Sequence, residues 1–95
     1  MKDRTIISDA SVPRLPRHVK FRFDEARQQW LLLAPERVLM PDEIAVEIIK
    51  LCDGVATVGA ISDALAAKYA APREQVGGDV IVMLQDLADK GVMTA

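Results

Sequence analysis

The spacing of the apolar residues changes once along the chain, close to Met40, and this change constrains the fold more than any other feature. Before it, Val19, Phe21 and Phe23 alternate with basic residues, and a period of two is typical of a strand with one buried face. After it, apolar residues recur every three or four positions, as in a helix that packs on one side. The pattern predicts strands followed by helices, which is an α+β architecture.

Three short apolar runs precede this change and predict three strands. The first covers Val19 to Phe23, the second Gln28 to Leu33 and the third Arg37 to Met40. The segment Ala34-Pro35-Glu36 supplies a tight turn before the third strand, because proline suits the second position of such a turn. Sequential strands joined by short turns form an antiparallel meander, and its last strand lies at an edge.

The first helix is expected to begin at Pro41, because proline fits the first helical position. Asp42 and Glu43 then lie near the positive end of the helix dipole. Gly54 is a suitable end, since glycine adopts the left-handed conformation at little cost. The apolar face of this helix is predicted to consist of Ile44, Ile48 and Leu51, backed by Ala45 and Cys52.

Two further helices follow in the predicted order. Thr57 is a candidate N-cap for the second helix, and the third runs from Pro72 to about Lys90 before Gly91 ends it. The inward residues of the second helix are predicted to be Val58, Ile61, Leu65 and Tyr69. Those of the third helix are Val76, Val80, Met83, Leu84 and Leu87.

The first seventeen residues show neither period. They are polar and interrupted by Pro13 and Pro16, and proline fixes φ and removes a backbone donor. We expect an extended segment that can move at residues 1–17, and one domain at residues 18–95, because 95 residues have room for a single modest core. No apolar run near the N-terminus is long enough for a signal peptide or a membrane span.

Residues that support catalysis are scarce in this sequence. His18 is the only histidine and Cys52 the only cysteine, so one chain can form neither a Cys/His metal site nor a disulfide. No glycine-rich phosphate loop occurs, and Ser62 lacks the Asp-Ser-Leu order of a carrier protein, so it is expected to be an ordinary exposed helix residue. The sequence predicts a non-catalytic protein with no cofactor and no metal, in a reducing, cytoplasmic setting.

Short strands beside three helices resemble a winged helix, which raises DNA binding as an alternative function. The third helix would enter the major groove, yet it contains four acidic residues against Arg73 and Lys90, and phosphate binding requires the opposite balance. Residues 1–37 contain eight Lys/Arg against five Asp/Glu, and residues 38–95 four against nine. The basic part can suit an acidic partner, or both parts can simply be solvated faces, and the second outcome is the more common.

Several stretches resemble one known family. The most specific is Leu31 to Val38, whose residues have no generic reason to occur in that order. Further similar stretches are Pro13-Arg14-Leu15, His18-Val19-Lys20, Leu51-Cys52-Asp53-Gly54, Thr57-Val58, Ala71-Pro72, Asp79-Val80 and Asp89-Lys90-Gly91. Together they resemble the PqqD family, small accessory proteins of pyrroloquinoline quinone (PQQ) biosynthesis. Met40-Pro41-Asp42 departs from the Leu-Asp expected there, which affects the expected start of the first helix.

The resemblance implies a function. Members of the family are recognition elements for RiPPs, which are ribosomally synthesised and post-translationally modified peptides. Such a peptide chaperone binds the leader region of a precursor, here PqqA, and presents it to a modifying enzyme, here the radical-SAM protein PqqE. The implied fold is a winged-helix-like α+β unit without a cofactor, and neither nucleic acid nor membrane is an implied partner.

The implied peptide site follows from the predicted edge strand. An edge strand offers unpaired N–H and C=O groups, to which an extended peptide can add as a further strand. The candidate edge consists of Arg37, Val38, Leu39 and Met40. The other wall of the groove is expected on one stripe of the third helix, formed by Gly77, Ile81, Leu84 and Ala88.

Alternatives stay open for several of these residues. Leu84 suits the core and the groove equally, whereas Ile81 lies off the main apolar stripe and favours the groove. Arg37 can pair with an acidic residue of the peptide or remain a solvated charge. Gly77 and Gly78 each weaken a helix by about 1 kcal/mol relative to alanine, and this cost favours a packing or binding reason for the pair.

Overall fold

The computed structural model describes residues 4–95 and contains a three-stranded sheet followed by three helices. The elements are β1 (Lys20–Asp24), β2 (Gln29–Ala34), β3 (Arg37–Leu39), α1 (Glu43–Lys50), α2 (Val58–Tyr69) and α3 (Arg73–Asp89). The predicted α+β architecture and the order of its elements are confirmed. A winged helix describes this arrangement only loosely.

The sheet is an antiparallel meander with β2 in its centre. Two residues join β2 to β3, and the second of them, Glu36, has a φ of 63°, as in a type II turn with proline at its first central position. Side chains alternate between the two faces of a sheet. Leu32 and its partner Leu39 therefore share the face towards the helices. Leu33 and Val38 share the outer face.

Side-chain caps begin the first two helices. Asp42 accepts a hydrogen bond from the Ala45 amide at 2.8 Å, which satisfies a donor that the first turn of α1 leaves free. Thr57 does the same for the Ala60 amide of α2 at 3.1 Å. The predicted Thr57 cap is confirmed, whereas Pro41 precedes the cap of α1 instead of occupying its first helical position.

The core lies between the sheet and the helices. Its largest fully buried side chains include Leu32, Val58, Ile61, Val80, Leu84 and Val92. Ile44, Leu51 and Tyr69 were expected to face inward, but Ile44 is 57 % and Tyr69 50 % exposed, and Leu51 is exposed as well. These three predictions were wrong. The inward side chains of α1 include Val46 and Ile49 in their place.

Ser62 also differs from the expectation of an exposed position. It is fully buried on α2, and its Oγ has no hydrogen-bond partner within residues 4–95. A Cβ atom built on Gly77 of α3 would lie 3.9 Å from this oxygen. Ser62 is thus a small residue at the contact between α2 and α3, where a larger side chain would keep the helices apart.

Residues 4–17 contact α2 and α3 without forming a helix or a strand of the sheet, and they contain a turn at Ser8–Ser11. Ile7 and Pro13 are buried among the core residues. The carbonyl groups of Asp9 and Ser11 accept hydrogen bonds from the first two amides of α2, at 2.9 and 2.8 Å. These bonds satisfy donors that would otherwise be unpaired at a helix start.

The same segment pairs with the other end of the chain. Arg14 and Thr94 exchange two backbone hydrogen bonds, of 2.8 and 2.9 Å. In the structure, residues 4–17 therefore pack against the rest of the chain, and the mobility expected of this segment stays a prediction. The part of that expectation that concerns residues 1–3 lies outside the described residues.

Candidate functional site

The outer edge of β3 has unpaired backbone groups. A two-residue turn makes Ala34 and Arg37 a hydrogen-bonded pair, and bonded and non-bonded pairs alternate along an antiparallel ladder. The amide and carbonyl of Val38 therefore point away from β2. Val38 is thus the residue of β3 at which an added strand would find both a donor and an acceptor.

A groove of about 240 Å³ lies between β3 and α3 and is termed the β3–α3 groove. The residues that line it outside α3 are Leu32, Leu39, Met40, Pro41, Asp42 and Ala45. Its wall on α3 consists of Met83, Asp86, Leu87 and Lys90, at the i, i+3, i+4, i+7 spacing of one helix face. The groove opens to solvent at Met40, whose residue surface is 60 % exposed.

The predicted stripe on α3 does not line this groove. Leu84 is fully buried in the core, so the assignment of Leu84 to an open groove is corrected. Gly77 is buried under the guanidinium of Arg73. Ile81 and Ala88 are partly buried against the core, and at 100° per residue they lie on the flank of α3 away from the groove.

The N-terminal segment of the chain covers that flank. Gln85 holds the segment by its backbone, since the Oε1 atom accepts from the Ile7 amide at 2.9 Å and the Nε2 atom donates to the Thr5 carbonyl at 2.8 Å. Arg4 forms two hydrogen bonds with the carboxylate of Asp89. These bonds hold the pKa of the Asp89 carboxyl below its ordinary value. The N-terminal segment thus lies beside the predicted α3 stripe, on the flank of α3 away from the β3–α3 groove.

Arg37 makes a contact that the sequence did not indicate. Its Nη1 atom donates to the carbonyl of Lys90 at 3.1 Å. Lys90 is the C-cap of α3, where the helix dipole favours a positive charge. The side chain of Arg37 remains exposed, and a guanidinium has further donors for another partner.

Sequence reasoning missed the α3 wall of the groove. It places Met83 and Leu87 on the inward stripe of α3 but assigns neither of them to the groove. A signal was available, because Asp86 and Lys90 border the inward stripe at helical spacing on the flank opposite Ile81. They form an ion pair of 2.8 Å at the rim.

Within residues 4–95, no three His, Cys, Asp or Glu side chains are grouped so that they could hold a metal ion. No helix in this range is both long and apolar enough to cross a membrane. Cys52 is buried, and burial raises the pKa of its thiol to about 12. The thiol therefore stays protonated at neutral pH and donates to the Ile48 carbonyl, as expected of a small buried residue.

Comparison with known proteins identifies the family. Residues 29–93 match the family described as Coenzyme PQQ synthesis protein D (PqqD). This range contains β2, β3 and all three helices, and thus the whole β3–α3 groove. The chain belongs to the PqqD family. The resemblance expected from the segment Leu31 to Val38 is confirmed.

Relatives in the PqqD family are similar over most of the chain. A PqqA binding protein of Rhodopseudomonas palustris (strain BisB5) is 63 % identical over 95 residues, which cover 99 % of this chain and 93 % of the relative. One of Bradyrhizobium diazoefficiens is 65 % identical over 88 residues, covering 93 % and 85 %. The bifunctional coenzyme PQQ synthesis protein C/D of Methylorubrum extorquens is 45 % identical over 94 % of this chain, which is only 24 % of that relative.

Two solved structures of the PqqD family share the fold. The first is the solution structure of the PqqD truncation of Methylobacterium extorquens PqqCD, described as a functional and stand-alone RiPP recognition element. It is 44 % identical, with a TM-score of 0.81 over 96 % of this chain and 97 % of that one. The crystal structure of PqqD from Xanthomonas campestris is 39 % identical, with a TM-score of 0.57 over 90 % and 94 %.

Proposed function

We propose that this chain binds the precursor peptide PqqA and presents it to the radical-SAM enzyme PqqE in PQQ biosynthesis, without performing chemistry itself. The observation that most supports the proposal is the unpaired edge of β3 beside the β3–α3 groove. Two further observations agree with it: relatives are named PqqA binding proteins, and a solved relative is described as a RiPP recognition element.

The peptide adds to β3 as a further strand of the sheet. The amide and carbonyl of Val38 supply the first pair of hydrogen bonds. Each backbone bond contributes about 1 kcal/mol net, and it does so for any peptide sequence. These bonds therefore fix the path of the peptide along β3, but they neither set its register nor select its residues.

Selection of the peptide occurs in the β3–α3 groove. Side chains alternate along a strand, so every second side chain of the added peptide faces α3. There it meets the apolar side chains of Met40, Met83 and Leu87. Burial of apolar surface contributes about 25 cal/mol per Å², and unbranched methionines adapt their shape to the residue that enters.

Two substitutions at Val38 test the strand addition. Val38→Pro removes the outward backbone donor but no bond to β2, so the sheet is expected to persist. Val38→Ala keeps the donor and removes a side chain on the outer face, away from the groove. We expect the proline variant to bind synthetic PqqA at least roughly tenfold more weakly, since a donor is lost and the carbonyl opposite it stays unpaired. The alanine variant should remain within about twofold of the parent.

Isothermal titration calorimetry measures both affinities, and circular dichroism with thermal melting verifies that each variant is folded. A folded proline variant with the affinity of the parent would show that the peptide does not use the edge of β3. Equal losses in the two variants would assign the effect to the side chain of Val38.

Mass spectrometry of the peptide tests the second part of the proposal. PqqA incubated with this chain alone should keep its mass. PqqA incubated with PqqE, S-adenosylmethionine and a reductant should be modified faster when the chain is present. Modification by the chain alone, or a rate with PqqE that is independent of the chain, would contradict the proposal.

A further inference from the structure

Basic side chains surround the end of the β3–α3 groove at which β3 begins. Arg37 and Lys90 lie at this end, and the hollow next to them also includes His18. His18 in turn lines a second hollow with Arg14 and Arg17. Since both hollows contain His18, these side chains form one continuous surface. The basic patch is defined here as Arg14, Arg17, His18 and Arg37.

The three arginines of the basic patch have positive charge available for a partner. Arg14, Arg17 and Arg37 are exposed. Within residues 4–95, none of them has a carboxylate oxygen closer than 4.0 Å. Arg4 and Arg73, by contrast, form ion pairs with aspartates of the chain. Guanidinium groups bind carboxylates through two parallel hydrogen bonds, which favours a carboxylate as the missing partner.

The opposite end of the groove has the opposite charge. Asp42 lines the groove five residues beyond Arg37, and Glu43 follows it in the first turn of α1. A peptide that lies along β3 therefore has a basic surface at one end and an acidic surface at the other. Such a field favours one direction of a charged peptide over the reverse.

This inference rests on the proposed function. We infer that the bound peptide has acidic residues where it leaves the groove beyond Lys90, and that the basic patch binds their carboxylates and so sets the direction of the peptide. Nucleic acid fits this surface less well. The last turn of α3 places Asp86 and Asp89, each paired with a cation of the chain, beside the patch. The basic surface is therefore short and interrupted, which suits single carboxylates better than a continuous phosphate backbone.

A pair of double variants with equal charge changes tests the patch. Arg14→Glu/Arg17→Glu reverses two charges in it. Lys20→Glu/Arg22→Glu reverses two charges on the outer face of the sheet, where both residues pair with outer-face leucines of β2. Fluorescence anisotropy with labelled synthetic PqqA gives Kd at ~0.01 M and ~0.15 M salt, where the screening length falls from ~30 to ~8 Å.

The patch variant should bind PqqA roughly tenfold more weakly at low salt and lose most of that difference at higher salt, because its charges are exposed. The outer-face variant should bind like the parent. A second peptide, in which every Asp and Glu of PqqA is replaced by Asn and Gln, should bind the parent and the patch variant equally.

Two outcomes would overturn the inference while leaving the proposed function intact. In the first, the parent binds PqqA and Val38→Pro weakens it, but the patch variant binds as tightly as the parent. In the second, the patch variant loses binding of labelled single-stranded DNA and keeps its affinity for PqqA, which would make the patch a nucleic-acid surface. If the parent does not bind PqqA at all, the proposed function itself fails.

Discussion

Gly77 leaves room for the guanidinium of Arg73, which lies across the start of α3. A Cβ at Gly77 would overlap the Nη1 atom of this guanidinium. Arg73 pairs with Asp63 on α2 and with Asp9 in the N-terminal segment. The side-chain hydrogen bond to Asp63 raises the pKa of Arg73 above its ordinary value. Contact within the chain is therefore a sufficient reason for glycine at this position.

Alanine substitutions at the two adjacent glycines should have different effects. A Cβ atom at Gly78 would meet no neighbouring atom within 4 Å. Gly78→Ala should therefore stabilise the fold by about 0.5–1 kcal/mol through helix propensity. Gly77→Ala should not stabilise it, because the new methyl group displaces Arg73 from its partners. Urea unfolding measures both changes. In an Arg73→Ala background Gly77→Ala should become stabilising, and persistent destabilisation there would contradict the role given to Arg73.

The buried thiol of Cys52 makes the stability of the fold sensitive to alkaline pH. Burial raises its pKa from 9.0 to about 12, so above pH ~9 the thiol ionises in the unfolded chain but not in the folded one. The contribution of the buried thiol to the free energy of unfolding is complete below pH ~9 and is lost as the pH rises towards ~12. We expect a loss of about 1.4 kcal/mol at pH ~10. Urea unfolding below pH ~9 and at pH ~10 should show this loss in the parent protein. The Cys52→Ala variant, which keeps the other titrating groups, should not show it.

At the scale of single elements, the sequence predicts the strands and helices but not always their inward faces. In α1 the aliphatic residues occur almost all around a helix of eight residues, and the true inward face is centred on Ile48 and Ile49 instead of Ile44 and Leu51. Periodicity selects a face only where polar residues mark the other side. Ser62 was missed for a related reason, since a hydropathy pattern does not count a small polar residue as buried.

The two flanks of α3 show a further limit of sequence reasoning. The inward stripe with Val80 and Leu84 follows from the helical period. Which flank stays open depends on the segment that covers the other one. That segment contains Thr5 and Ile7, which bind Gln85 of α3 about 80 positions later in the chain. No local pattern indicates such a contact. The edge strand was predicted correctly, whereas the predicted stripe on α3 lies on the opposite flank from the β3–α3 groove.

Two neighbouring isoleucines test whether the N-terminal segment belongs to the packed unit. Ile7 is 5 % exposed and lies in the core cluster, whereas Ile6 is 63 % exposed. Ile7→Ala should lower the free energy of unfolding by about 2–4 kcal/mol, because it leaves a cavity. Ile6→Ala should change it by no more than about 0.5 kcal/mol. Equal, small effects in urea unfolding would show that the segment is loosely held in solution.

At the scale of the whole molecule, the two ends of the chain complete the same structure. Val92 and Met93 follow α3 and are buried, and Arg14 pairs with Thr94 through the backbone. Contacts of this kind join residues about 80 positions apart, and sequence periodicity contains no information on them. The resemblance to a family supplied what periodicity could not, because the order of residues from Leu31 to Val38 identified the PqqD family directly.

The charge of α3 also favours peptide binding over DNA binding, which is the winged-helix alternative. Its exposed surface includes four carboxylates, those of Glu74, Asp79, Asp86 and Asp89. Only two cations, Arg73 in the first turn and Lys90 at the C-cap, oppose these carboxylates, so the helix is net negative. Both cations are themselves paired, Lys90 with Asp86 and Arg73 with Asp63. A helix of this kind repels the phosphates that line a major groove.

We therefore expect no saturable binding of a labelled DNA duplex, even at ~0.05 M salt, where phosphate attraction is strong. Fluorescence anisotropy measures this, with labelled PqqA and the same protein preparation as the positive control. A DNA-binding winged helix would give the reverse result: duplex affinity that persists at ~0.15 M salt and falls along a steep salt slope, because each neutralised phosphate releases counterions. That result, together with absent PqqA binding, would indicate that this chain is a DNA-binding winged helix.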